Sequence, residues 1–88
     1  MTEQAVSVPL DRDGKTLAPS ELLELLRGAE GKDVEIDAAE TLLLTSRHLQ
    51  VLIAAERRSQ ETDQTFSITN RSAQLDSCLA LLGWQPNS

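Results

Sequence analysis

Residues 34–55 read VEIDAAETLLLTSRHLQVLIAA, and the hydrophobic periodicity changes halfway along this stretch. In its first part, Val34-Glu35-Ile36-Asp37, apolar residues alternate with acidic ones, which is typical of a β-strand with one solvated face. Thr45 and Ser46 are residue types that favour helix N-caps. The apolar residues after them predict a helix from about residue 46 to residue 60. A strand followed directly by a helix indicates an α/β fold.

Upstream of this stretch, the sequence predicts a strand, a turn and a helix. Apolar residues alternate over 6–10, which predicts a short first strand, and residues 11–15 read DRDGK, which predicts a turn. Pro19 is well placed for the first helical position, and Gly28 with Gly31 ends the helix. The apolar residues of that helix share one face: Leu22, Leu25, Leu26 and Ala29.

Downstream, the sequence predicts a further strand and a closing helix. Residues 66–69 read FSIT and alternate like the earlier strand, and the turn at 70–72 is expected to cap the next helix. Gly83 and Pro86 end that helix, and Trp84 is expected to cover the end of the core. The helix carries an apolar stripe at helical spacing: Leu75, Cys78, Leu79 and Leu82.

The order strand, helix, strand, helix, strand, helix fits one small domain over residues 1–88. Alternation predicts that six apolar strand residues point to one face of a single sheet, against all three helices. These residues are Val6, Val8, Val34, Ile36, Phe66 and Ile68.

The charge and composition argue against nucleic acid or membrane as the partner. The net charge is −6, residues 1–45 carry all of it, and aromatic residues make up 2% of the chain. Nucleic-acid binding needs clustered Lys and Arg or aromatic platforms. The longest near-apolar run, Leu49 to Ala55, is far too short to cross a bilayer.

The residue inventory favours a reducing compartment and gives no catalytic or metal centre. A lone cysteine, Cys78, and an N-terminus unlike a signal peptide predict a cytoplasmic protein. One histidine, His48, is too few for a metal site or a nucleophile–base set, so no cofactor and no enzyme activity are expected. A receiver domain is a minor alternative. Asp37 ends a strand, as the phospho-acceptor of a receiver domain does, and Asp11 and Asp13 lie in the zone of that domain's acidic pair. A receiver domain also needs a later lysine and a longer chain than this one.

Three segments in order resemble the STAS domain, the sulfate transporter and anti-sigma antagonist family. Residues 34–39 are similar to the family's strand with an acidic-apolar-small ending. Residues 42–55 are similar to its signature segment, an apolar strand end, then Asp-Ser-Ser-Gly or Asp-Thr-Ala-Gly, then Leu-x-x-Leu-Leu. Residues 66–83 resemble its last strand, an Asn-Pro-Ser-like turn and a helix ending Leu-Leu-Gly. The resemblance covers roughly residues 18–85.

The resemblance implies a STAS-like α/β fold, with a mixed β-sheet of about four strands and three main helices packed mostly on one face. It also implies a partner-binding surface around the second helix. In the signature, Thr45 stands at the usual Asp, Ser46 at the first Ser or Thr, Arg47 at the second Ser or Ala, and His48 at the Gly. In the anti-sigma antagonists the second serine is phosphorylated, and here that position is Arg47.

By this resemblance the protein is a bacterial, non-catalytic regulator that binds a kinase-like partner of an anti-sigma or chemotaxis pathway. Candidate phosphorylation sites are Ser46 and Thr45. The expected partner-binding residues are Thr45, Ser46, Arg47, His48, Gln50, Arg57 and Arg58. The alternative is a STAS accessory subunit on the ATPase of a lipid-transporting ABC system, because Ser46 matches the threonine of Asp-Thr-Ala-Gly.

Overall fold

The computed structural model describes residues 5–84, which form five strands and three helices. Two of the sequence expectations, a chain start without a signal peptide (Met1 to Gln4) and a helix stop at Pro86, lie outside the described residues. The elements in chain order are β1 (Val6–Pro9), β2 (Asp11–Arg12), β3 (Lys15–Thr16), α1 (Pro19–Gly28), β4 (Val34–Asp37), α2 (Ser46–Glu61), β5 (Phe66–Thr69) and α3 (Ala73–Leu81).

Three of the strands form a parallel sheet in the order β1-β4-β5, with β4 in the centre. The register pairs Val8 with Ile36 and Ile36 with Ile68. It also pairs Val6 with Val34 and Val34 with Phe66, so all six apolar strand residues point to one face, as predicted. That face belongs to the same hydrophobic core as the inward side chains of all three helices. The exposed Ser7 and Glu35 lie between these residues and mark the opposite, solvated face.

The remaining two strands, β2 and β3, form a separate antiparallel hairpin. Its two-residue turn is Asp13-Gly14, and both residues have positive φ, 55° and 78°. Asp-Gly is the preferred pair for this tight turn because both positions need the left-handed region. The α/β class and the three helices are therefore confirmed. The resemblance implied one mixed sheet of about four strands, whereas the structure has a three-stranded parallel sheet and a separate antiparallel pair.

The first two helices follow the predicted boundaries closely. Pro19 is the first residue of α1, and Leu22 and Leu26 are buried on its inner face. Leu49 and Leu52 are the corresponding buried residues of α2, which runs one residue further than predicted. The outward residues of α2 form an exposed stripe along the helix: Arg47, Gln50, Ala54, Arg57, Arg58 and Glu61.

The third helix buries less of its stripe than predicted. Leu75 and Leu79 are buried, but Cys78 is only half-buried and Leu82 is 40% exposed. The reason is the helix length, because α3 ends at Leu81 and places Leu82 beyond its last turn. Other expectations for this region are confirmed, since Ser72 caps α3, Gly83 follows it with φ 87°, and Trp84 packs partly buried against the core.

Candidate functional site

The start of α2 is fixed by a reciprocal cap between Thr45 and His48. The Thr45 hydroxyl accepts a hydrogen bond from the His48 amide at 3.4 Å, and the His48 Nδ1 accepts one from the Thr45 amide at 3.1 Å. The Thr45 hydroxyl also lies 2.8 Å from Nδ1. This is a capping box in which histidine takes the place usually held by Glu or Gln.

The other ring nitrogen of His48 ties this helix start to a distant segment. Nε2 lies 2.7 Å from the carbonyl oxygen of Leu17, just before α1. Because a carbonyl only accepts, Nε2 is the donor, which leaves Nδ1 to accept from Thr45. The side chain thus cross-links two elements far apart in sequence.

His48 does not belong with the exposed residues expected at the partner-binding surface. It is 7% exposed, and both ring nitrogens are bonded inside the protein. The structure gives His48 a role inside the protein, and a contact between His48 and a partner stays a prediction. The helical spacing of His48 indicated its burial, because it lies four residues before Leu52 and eleven before Ser59, on the buried face of the helix.

The other expected residues lie on the surface but not in one cluster. Thr45, Ser46, Arg47 and Gln50 are exposed around the first turn of α2. Arg57 is also exposed, but ten residues along a helix place it roughly 15 Å from Arg47. Together they form an elongated stripe along α2.

Arg58, at the far end of that stripe, already has a partner. Its Nη1 lies 2.9 Å from Glu30 Oε1, in the turn after α1. The two side chains are 59% and 49% exposed, so this ion pair contributes at most about 1 kcal/mol to stability. Arg58 is therefore available to a partner, but only in competition with Glu30.

Two exposed leucines beside the helix start were missed by the sequence reasoning. The expectation that the Leu42–Leu44 run ends a strand is wrong, because residues 41–45 are irregular. Leu42 and Leu43 are 50% and 63% exposed, whereas Leu44 is buried. The signal in the sequence was the cap at Thr45, which places a run of leucines in a loop.

The loop is anchored on both sides of these leucines. Thr41 is buried and its hydroxyl donates a hydrogen bond to Asp11 of β2. The carbonyl of Leu44 accepts from the Cys78 thiol at 3.5 Å. With the residues before and after them fixed, Leu42 and Leu43 face solvent next to Thr45, where they are available for contact with another molecule.

Acidic residues gather at the carboxyl edge of the sheet, where the receiver-type alternative would place its site. Asp37 Oδ1 accepts from the Ala39 amide at 3.0 Å and from Asn70 Nδ2 at 3.2 Å, which joins the loops after β4 and β5. Asp11 is bonded to Thr41. Both carboxylates thus hold loops together. Within residues 5–84, no group of three or more His, Cys, Asp or Glu side chains could hold a metal ion.

Among the described residues, no helix combines the length and the hydrophobicity that crossing a bilayer requires. Compared with known proteins, the chain significantly matches no family model, no curated protein and no solved structure.

Proposed function

We propose that the chain is a cytoplasmic, non-catalytic regulatory protein of the STAS type, which binds a kinase-like signalling partner along α2. The surface would comprise the exposed stripe of α2 and the two leucines before it. The proposal rests on the exposure of Arg47, Gln50 and Arg57 along α2, together with that of Leu42 and Leu43 in the loop before the helix. Arginine is enriched in protein interfaces, and binding would remove the exposed leucine surface from water.

The charge distribution supports the same surface. The protein carries a net charge of −6, yet the exposed charged residues on the outward face of α2 are three arginines and one acid: Arg47, Arg57, Arg58 and Glu61. An acidic partner region would be attracted to the stripe and repelled by the rest of the molecule. The stripe also lies on the second helix, where the STAS resemblance implies a partner-binding surface.

Ser46 is the better of the two candidate phosphorylation sites. It is exposed at the first position of α2, where a phosphate would lie near the unpaired amides and the positive end of the helix dipole. The Thr45 hydroxyl is occupied by the cap, so modifying Thr45 would open the helix start. A phosphate on Ser46 would leave that cap in place and change only the charge seen by the partner.

A second candidate function is that of the STAS subunit on the ATPase of a lipid-transporting ABC system. It is favoured by Arg47 at the usual phosphoserine position and by Ser46 in the place of the threonine of Asp-Thr-Ala-Gly. The partner recovered by affinity purification and identified by mass spectrometry distinguishes the two functions. A kinase-like regulator supports the first, and an ABC ATPase supports the second.

Changing the charge on the stripe is expected to weaken partner binding without unfolding the protein. Arg57→Glu replaces an attraction by a repulsion and should raise the Kd of the recovered partner about three- to tenfold. Ser46→Asp should also raise the Kd, while the helix dipole favours the new carboxylate by up to about 1 kcal/mol. The measurement is the Kd of each variant, with circular dichroism to verify the fold.

Arg12→Glu provides the matched control, because it makes the same charge change on the exposed hairpin. It should bind the partner like the wild type. If Arg57→Glu and Ser46→Asp both fold and bind like the wild type, the exposed stripe of α2 is not the interface and the proposed function is wrong.

A further inference from the structure

A small apolar groove lies between α1 and α2, at the end of α2 far from Ser46. Leu26 of α1, Val34 of β4 and Val51 of α2 contribute apolar walls, and Ala54 and Ala55 leave the space open because their side chains are short. We call this groove the α1–α2 socket. Its cavity volume is about 60 Å³.

The rim of the socket is cationic. Its ionisable lining residues are three cations, Arg27, Lys32 and Arg58, and one anion, Glu30. This local excess of positive charge stands in a protein whose net charge is −6. An apolar floor inside a positive rim selects for an apolar group accompanied by negative charge.

The size of the socket decides between two classes of occupant. Pockets for whole small molecules measure roughly 300–1,000 Å³. A cavity of about 60 Å³ has room only for the end of one apolar side chain. We propose that the α1–α2 socket docks an acidic segment of a partner protein, which inserts one aliphatic or aromatic side chain between the helices.

This inference rests on the proposed function in that both place a protein partner on α2. The socket meets the stripe at Ala54 and Arg58, which belong to both surfaces. A partner lying along the stripe would therefore reach the socket without leaving the helix. Interface residues contribute most to binding when their side chains are buried in a well-packed pocket.

The Glu30–Arg58 ion pair weakens the binding of an acidic occupant, because the two compete for Arg58. Glu30 occupies the same Arg58 guanidinium that an incoming carboxylate would bind, at 2.9 Å. Removing the charge of Glu30 frees Arg58 and makes the rim more positive. Glu30→Gln should therefore tighten the binding of an acidic segment about two- to fivefold, the fold-change that corresponds to an exposed ion pair.

The test uses a short synthetic peptide with a central leucine flanked on both sides by aspartate and glutamate. It is titrated into the isotopically labelled full chain while the amide NMR signals are followed. Signals of Val51, Ala54 and Lys32 are expected to shift most, and added salt should weaken the binding. Two control peptides, one with alanine at the centre and one with lysine flanks, should bind at least about tenfold more weakly.

Ala54→Phe fills the socket from an exposed position and should abolish peptide binding with an unchanged circular dichroism spectrum. Lys32→Glu, on the rim, is the second variant and should weaken the binding of the peptide without filling the cavity. Arg57→Glu does not alter the lining of the socket and should affect the peptide less than Lys32→Glu does. The socket is overturned if the leucine and alanine peptides bind alike, if no signals at the groove shift, or if Ala54→Phe binds like the wild type.

Binding of the recovered partner to the same variants tests this inference and the proposed function separately. If Arg57→Glu weakens the partner while Ala54→Phe does not, the stripe is the interface and the socket proposal is wrong. If the peptide binds in the socket but neither Ser46→Asp nor Arg57→Glu changes partner binding, the socket is correct and the proposed function fails.

Discussion

Leu79→Ala is expected to lower the free energy of unfolding by about 2–5 kcal/mol, the range for large-to-small changes in a core. Leu79 is 1% exposed, near the end of α3, and belongs to the core beneath the sheet. The substitution removes the free energy gained by transferring the leucine side chain from water to the core, and it also removes the packing contacts of that side chain. Domains of this size have a total stability of roughly 4–13 kcal/mol, so the change consumes a large share of it. Urea denaturation followed by circular dichroism measures the effect.

Leu81→Ala is the matched control on the same helix. Leu81 is 88% exposed, so the same substitution there should change the free energy of unfolding by no more than about 0.5 kcal/mol. Equal effects at the two positions would show that α3 does not pack on the sheet through Leu79.

His48→Ala is expected to lower the free energy of unfolding by about 2–4 kcal/mol, because it leaves buried polar groups without partners. The Leu17 carbonyl would lose the Nε2 donor, and the Thr45 amide would lose the Nδ1 acceptor. The variant also leaves a space at the start of α2, in a region that is buried. Urea denaturation again measures the change.

His48→Gln separates the two parts of this effect. Glutamine is a regular member of a capping box, so it should retain the bond to the Thr45 amide while losing the bond to Leu17. Its stability should lie between those of the wild type and His48→Ala. If His48→Ala is as stable as the wild type, the histidine is not the cross-link between α2 and the segment before α1.

The helices and strands were predictable because their periodicity is a local property. The alternation in Val34–Asp37 and the cap at Thr45 require no knowledge of the rest of the chain. Strand order is different, since nothing near Val34 indicates that β4 lies between β1 and β5. That order results from packing between segments far apart in sequence.

The difference between local periodicity and long-range packing also explains which parts of the candidate site were predictable. The exposure of Arg47, Gln50 and Arg57 was predictable from helical spacing alone. The outward direction of Leu42 and Leu43 was not, because three consecutive leucines have no periodicity, and their direction depends on the tertiary anchors on both sides. His48 shows a third case, in which the spacing indicated burial but the polar residue type favoured the surface.

The central position of β4 has a consequence for the order of events during synthesis. Val6 pairs with Val34, and Val34 pairs with Phe66. To form either pair, the chain must first close a loop of roughly thirty residues, which costs conformational entropy. β1 and β4 leave the ribosome before β5 does. Until β5 arrives, the strand that is innermost in the finished sheet is an edge strand, with unpaired backbone groups that other chains are able to join.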